Sequence, residues 1–115
     1  VIEHDRQDDN YALLKHNLKQ LKEMRLADDR PLNIVELPMP EAVYYQDQRL
    51  PASYANFYIS NLHVIMPTFR CKRDEEAMEI LQECFPERKV VGIDSTDIIW
   101  GLGSFHCLSQ QEPAV

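Results

Sequence analysis

The run F-Y-I-S-N-L-H-V-I-M-P-T-F-R-C-K-R-D-E-E-A-M-E-I-L-Q-E-C-F-P-E-R-K-V-V-G-I-D, Phe57 to Asp94, decides the fold class. Residues 57–59 and 63–66 are short apolar runs separated by Ser60, Asn61 and Leu62, the pattern of two strands with a tight antiparallel connection. Residues 67–73 read as a polar loop. Asp74 opens a helix with Glu75 and Glu76 in its first turn, where negative charge meets the positive end of the helix dipole. Ala77, Met78, Leu81, Cys84 and Phe85 recur at helical spacing and form its buried stripe, and Pro86 stops it. Residues 89–94 form the next strand, apolar through Val90, Val91 and Ile93, with Gly92 leaving room for a close approach. The order is strand, strand, helix, strand, so the class is α/β, with 57–94 as one ββαβ unit.

Upstream of this unit, Tyr11, Leu14, Leu18, Leu21 and Met24 step by three and four residues, which predicts a helix from the polar residues 5–10 to about Arg25. His16 and the lysines 15, 19 and 22 lie off that stripe, on a solvated face. Asp8 and Asp9 suit the start of the helix dipole. After a break at 28–31, residues 32–37 read as a buried parallel strand, ended by Pro38 and Pro40. Residues 43–45 and 48–50 suggest a small hairpin across Gln46 and Asp47, without the usual turn glycine. Residues 1–4 read as the end of a strand. A helix and a strand thus precede the complete unit, like the second half of another one. A unit of this size cannot bury both faces of its sheet alone, whereas stacked units can.

Downstream lies W-G-L-G-S-F-H-C-L-S-Q-Q-E-P, Trp100 to Pro113. Gly101 and Gly103 are two of the chain's 3 glycines and stand just before Cys107, on a short run that alternates like a strand. Such glycines suit a sharp turn or close approach of a ligand, and Cys107 stands where a nucleophile would be presented to it. A cysteine on a strand is ordinarily inert core packing, and that reading stands beside the reactive one. On a strand His106 would point away from the Cys107 sulfur, which suits a structural histidine better than a general base.

The stretch resembles the C-terminal signature of the agmatine deiminase and bacterial-type (Porphyromonas-type) peptidylarginine deiminase family, approximately W-G-G-G-x-x-H-C-x-T-Q-Q-x-P. E-L-P-M-P-E-A-V-Y-Y (from Glu36), L-P-A-S-Y-A-N-F-Y-I (from Leu50) and V-V-G-I-D (from Val90) fall in the family's order. The resemblance covers nearly the whole chain but only the last part of a longer enzyme. It implies a pentein-type ββαβ propeller, of which residues 1–115 would be the C-terminal segment of one deiminase domain, about one and a half units. It implies Cys107 as the nucleophile of a hydrolytic deimination of a guanidino group. The substrate expected first is agmatine, giving N-carbamoylputrescine and ammonia on a route to putrescine and the polyamines. Peptidylarginine, giving peptidylcitrulline, is the alternative.

Trp100, Gly101 and Gly103 would shape the substrate slot, an indole stacking on a planar cation. A core tryptophan with ordinary turn glycines is the competing reading. Leu102 and Ser104 depart from the glycine-rich family form. The family's acid/base histidine, in a G-H-x-D-like motif, and its guanidinium-binding carboxylates, including those of a W-x-R-D-like stretch, find no match among His4, His16, His63 or the single tryptophan. The remaining N-terminal part of the enzyme is therefore an expected partner, and a noncatalytic remnant is the alternative from another class. Asn56 reads as a structural amide near the barrel core, and tyrosines 44, 45, 54 and 58 as half-buried strand positions. Cys71, flanked by Arg70, Lys72 and Arg73, would have an activated thiol if exposed. Cys84 reads as plain core.

Composition sets the outer limits. At 115 residues the chain holds at most one ordinary domain, and its net charge of −7 argues against nucleic acid and is compatible with a cationic ligand, with ordinary acidic solubility as the plainer reading of the charge. No apolar run approaches the ~20 residues needed to span a bilayer, and the start lacks the pattern of a signal peptide, so a soluble segment with no membrane partner is expected. Three cysteines without C-x-x-C spacing suggest free thiols and a cytoplasmic setting. No phosphate-cradling glycine motif or metal-ligand set occurs, so neither a cofactor nor a metal is expected. A homodimer is the family expectation for assembly.

Overall fold

A computed structural model describes residues 1–113 of the chain. In chain order the elements are α1 (Tyr11–Glu23), β1 (Tyr44–Tyr45), β2 (Gln48–Arg49), β3 (Tyr58–Ile59), β4 (His63–Thr68), α2 (Arg73–Cys84), β5 (Lys89–Asp94), a 3₁₀ turn (Ile98–Gly101) and α3 (Phe105–Leu108). β3, β4 and β5 form one sheet with β4 in the centre, antiparallel to β3 and parallel to β5. α2 makes the crossover that a parallel pair requires.

The register runs from His63 opposite Lys89 to Thr68 opposite Asp94. Val64 and Met66 therefore share one face of β4 with the side chains that meet α2, whose Ala77 and Leu81 are buried. Gly92 faces the helix, because a Cβ there would lie 2.8 Å from both Met78 Sδ and Thr68 Cγ2. β4 runs two residues past its expected end and includes Pro67. A proline is tolerated there because β3 pairs only as far as Ile65, so that edge of the strand needs no donor at Pro67. Met78 and Phe85 are half-buried as the helical stripe predicts, but Cys84 is exposed. Cys84 is the last residue of the helix.

Asp74 joins this helix to the loop before it. Its carboxylate accepts the Phe69 and Cys71 N–H groups, both at 3.0 Å, and the Tyr54 hydroxyl at 2.7 Å. Tyr54 is fully buried in a loop, not half-buried on a strand, and its hydroxyl proton is held far more tightly than usual. Burial is the main cause, with hydrogen bonds to Cys71 and Asp74 adding to it.

Two upstream expectations change. Residues 32–37 are not a strand: they lie between two isolated bridges, an antiparallel one of Arg25 with Pro31 and a parallel one of Ile2 with Pro38, the latter closed by Ile2 N–H to Leu37 O and Met39 N–H to Ile2 O, both 2.7 Å. Without a neighbour along their length these residues have nothing to complete a ladder. α1 lies where its periodicity predicts, yet none of its residues is buried, and Leu13, Leu21 and Met24 are exposed. Asp8 lies outside its first turn and instead pairs with Arg49 on β2, at 2.8 and 3.0 Å. The hairpin forms as expected, with Gln46 and Asp47 both at positive φ, 46° and 63°, doing what Asn-Gly usually does. Tyr44 and Tyr45 on its first strand are exposed.

Candidate active site

After β5 the chain is tied down twice before it reaches Cys107. Ser95 N–H donates to Thr68 O at 2.9 Å, and the Ser95 and Ser104 hydroxyls, both fully buried, meet at 2.6 Å. Between them Ile99 is fully buried and anchors the 3₁₀ turn, while Trp100 beside it is 61% exposed. Leu102 takes a left-handed conformation with φ 65° and closes the turn. Gly103 and Ser104 then lead into α3.

Cys107 therefore sits on a helical turn, not on a strand. Four residues are too few to show a helical period, and their alternating sequence reads as extended chain. The strand argument for His106 falls with it. Successive residues on a helix lie about 100° apart, so the two side chains diverge without pointing oppositely. His106 is exposed; its N–H donates to Asn56 O at 3.3 Å, and its carbonyl accepts from Ser109.

The Cys107 thiol is exposed, in contrast to the inert core reading. Two residues shape its surroundings. A Cβ on Gly103 would stand 2.7 Å from Cys107 Cβ and 3.0 Å from its Sγ, so the glycine makes room for the cysteine itself. Asn56 lies 51 residues upstream and grips the turn through both ends of its amide. Its Nδ2–H donates to Cys107 Sγ at 3.0 Å, and its Oδ1 accepts the Cys107 N–H at 3.2 Å. Sequence reasoning singled Asn56 out as a structural amide but gave no sign of this partner.

Trp100 packs beside the β1–β2 hairpin. Its ring lies 4.7 Å from that of Tyr45, and together with Tyr44, Val43, Leu50, Thr96 and Asp97 it lines a cleft of about 200 Å³. Cys107 does not line that cleft. Gly101 is open, with nothing within 4 Å of a Cβ placed on it. Of the four residues singled out from sequence, the fold thus brings Gly103 to Cys107, and sets Trp100 against the hairpin. Tyr45 was not among them, although an aromatic on a two-residue strand is a reasonable stacking partner.

The other thiols lie in different settings. Cys71 is half-buried, its Sγ 3.1 Å from the Tyr54 hydroxyl. The arginines beside it are engaged elsewhere: Arg70 with Asp94 at 2.6 Å and Asp97 at 3.3 Å, Arg73 with Glu3 at 3.0 Å. Among the described residues, no three His, Cys, Asp or Glu side chains are grouped to hold a metal, and no helix is long and apolar enough to cross a membrane.

The fold is that of solved deiminases. A crystal structure described as the "Putative Arginine Deiminase" from Porphyromonas gingivalis superposes with a TM-score of 0.93 at 41% identity, over 97% of this chain and 33% of that one. The agmatine deiminase of C. jejuni superposes at 0.84 and 33% identity, over 92% and 32%. A curated protein of Marinomonas sp., named "Putative agmatine deiminase", is 40% identical over 95% of this chain and 34% of its own length. The sequence matches the Porphyromonas-type peptidyl-arginine deiminase family over residues 1–113, and the chain belongs to that family. It spans about a third of the length of the relatives it matches.

Proposed function

We propose that this chain carries the nucleophile of a guanidine-deiminating hydrolase, with Cys107 as that nucleophile and agmatine as the substrate. The single observation that carries the reading is an exposed Cys107 sulfur, held on a short turn by an amide N–H at 3.0 Å. Family membership and relatives named as agmatine deiminases support the reaction class.

In this mechanism the thiolate adds to the central carbon of the guanidinium, forming a C–S bond and a neutral tetrahedral adduct. One amino group takes a proton and leaves as ammonia, giving a thiouronium cation. Water adds to that carbon, the C–S bond breaks, and a ureido group is released with the thiolate restored. The two protons freed in this half return the one borrowed earlier and convert ammonia to ammonium. Overall, guanidinium and water give a ureido product and ammonium, with no redox change. Trp100, Gly101 and Gly103 belong to the wall of the substrate slot, Trp100 by offering a π face to the cation.

The acid/base histidine and the carboxylates for the guanidinium come, in this reading, from the part of the enzyme that its relatives possess beyond this third. Residues 1–115 then form the C-terminal segment of one deiminase domain in a pentein-type propeller, with 57–94 as one repeat. The exposed apolar face of α1 fits packing against such a neighbour. A cytoplasmic homodimer is the accompanying expectation.

The family's name favours a second reading, deimination of arginine within peptides. Incubating the full-length protein with agmatine and with an arginyl peptide, and measuring ammonia and ureido product, separates the two. Labelling with a haloacetamidine is expected to mark Cys107. A mark on Cys71 or Cys84 alone overturns the nucleophile assignment, and no turnover of either substrate favours a noncatalytic remnant.

A further inference from the structure

Leu102 stands between two fixed points. Its N–H donates to the carbonyl of fully buried Ile99 at 2.9 Å. On its other side is Gly103, where a Cβ would lie 3.0 Å from Cys107 Sγ. One further bond and one Cα–Cα step of about 3.8 Å place the Leu102 Cα within about 8 Å of that sulfur. Thiol and leucine are both exposed.

Nothing within the described residues accounts for a leucine at this position. Its φ of 65° and ψ of 15° are left-handed backbone, which costs stability for a residue with a bulky side chain. The other non-glycine residues at positive φ among the described ones, Asp29, Gln46, Asp47 and Arg70, are all polar. Burial does not offset the strain, since Leu102 is 64% exposed. A side chain that is neither relaxed nor packed, on a rigid link beside a nucleophile, is placed to act on whatever approaches that nucleophile.

A substrate in position to react holds its guanidinium carbon about 3–3.5 Å from the sulfur. In an arginyl residue the side chain then runs about 6 Å to the Cα, where it meets peptide backbone on both sides. That branch point stands about 9 Å from the sulfur, within reach of the Leu102 side chain. Agmatine has no such branch, only an unbranched methylene chain ending in an ammonium. Leucine methyls offer a methylene chain dispersion contacts, whereas they offer a peptide group no hydrogen bond in exchange for its water.

We propose that Leu102 is a specificity-determining residue for the deimination reaction, narrowing the approach to Cys107 so that guanidino groups on slender unbranched chains are accepted and arginine flanked by peptide backbone is excluded. This deepens the reading of Cys107 as nucleophile and rests on it.

The test uses the full-length protein and two haloacetamidines with the same reactive group, one on an unbranched aminobutyl chain and one on the side chain of a benzoylated ornithine amide. Labelling of Cys107 is followed by mass spectrometry, with exposed Cys84 reporting the intrinsic reactivity of each probe. The unmutated protein is expected to prefer the slender probe at Cys107, and Leu102→Gly to reduce that preference about tenfold, the scale on which apolar groups in a pocket discriminate. Leu102→Ala shortens the side chain without freeing the backbone, and its expected intermediate loss separates size from flexibility.

An unchanged preference in both variants overturns the proposal. So does a lowered urea midpoint in Leu102→Gly, which would show the leucine packed against the rest of the longer enzyme. Equal labelling of Cys107 by both probes in the unmutated protein overturns it too, while leaving Cys107 as the nucleophile. If neither probe marks Cys107, the nucleophile reading itself falls, and the proposal with it.

Discussion

Gly103 and Cys107 are packed so closely that no other residue fits at the first position without moving the second. The atoms in the way are the β-carbon and sulfur of Cys107 and not the flexible end of a long side chain. Gly103→Ala is therefore expected to displace the α3 turn by several tenths of an ångström. Misplacing a nucleophile on that scale typically costs one to two orders of magnitude in rate, so a drop of about 10- to 100-fold in Cys107 labelling is expected. Gly101→Ala places its methyl where nothing lies within 4 Å, so it should leave the stability of the fold close to wild type, read as an unchanged urea midpoint.

Leu102 carries the opposite kind of anomaly. It holds φ at 65°, a region where a branched side chain is strained, and it is 64% exposed, so little packing offsets the strain. Leu102→Gly relieves that strain while giving the unfolded chain more freedom. The net expected gain is about 0.5–1 kcal/mol, read as a higher urea midpoint at unchanged slope.

Arg73 reaches across 70 residues to Glu3, whose side chain is 3% exposed, and also donates to Met39 O at 2.8 Å. Removing one member of such a pair leaves the other charge in a poorly solvated place. Arg73→Met is expected to destabilise by about 3 kcal/mol, and the double variant with Glu3→Gln to recover part of that loss. Strict additivity of the two single effects in denaturation would show that the pair is not coupled.

Acid should weaken the attachment of the hairpin before it unfolds the sheet. The Arg49 guanidinium beside Asp8 holds that carboxyl below the usual carboxylate range, so the unfolded chain binds its proton more readily than the folded one. The contribution is complete above about pH 4 and is lost as pH falls through the lower folded value. Asp94 acts in the same direction, lowered chiefly by its bonds to Thr96 and also by Arg70. Asp8→Asn should flatten the acid limb of a stability-against-pH curve; an unchanged limb would show that the pair contributes nothing there.

Legibility in the sequence followed the length of each pattern. The twelve residues of α2 carry enough turns to show their period, and β4 and β5 are long enough to show apolar runs bounded by breakers. The Gln46-Asp47 turn was legible from its flanking strands although its residues are poor predictors of left-handed backbone. Residues 32–37 misled because a strand is defined by its neighbour, and an apolar run cannot report whether the neighbour is present. Cys84 misled for a simpler reason: it fits the helical spacing, but at the last position of α2 it is exposed while Leu81 and Phe85 fill the core side.

At the site, the motif around Cys107 reads as extended chain, whereas the residues are helical. Its four helical residues are shorter than any period that could identify them. The glycine next to it was readable as a place of close approach, yet what approaches is the cysteine itself. Asn56 was visible as a polar residue needing partners, but the identity of those partners depends on how the loop before β3 and α3 meet, which no local pattern encodes. Trp100 stacks on Tyr45, a partner that lies 55 positions upstream in the chain and that no local pattern indicates.

The two buried serine hydroxyls that join the end of β5 to the start of α3 have a bearing on inheritance as well as on shape. Since neither oxygen has water to fall back on, a change at one is felt at the other, and through it at the sulfur three positions further on. Substitutions selected in this protein's lineage for reasons of strand packing would thus shift the α3 turn as a side effect, and Ser95 and Ser104 should tolerate replacement only as a pair.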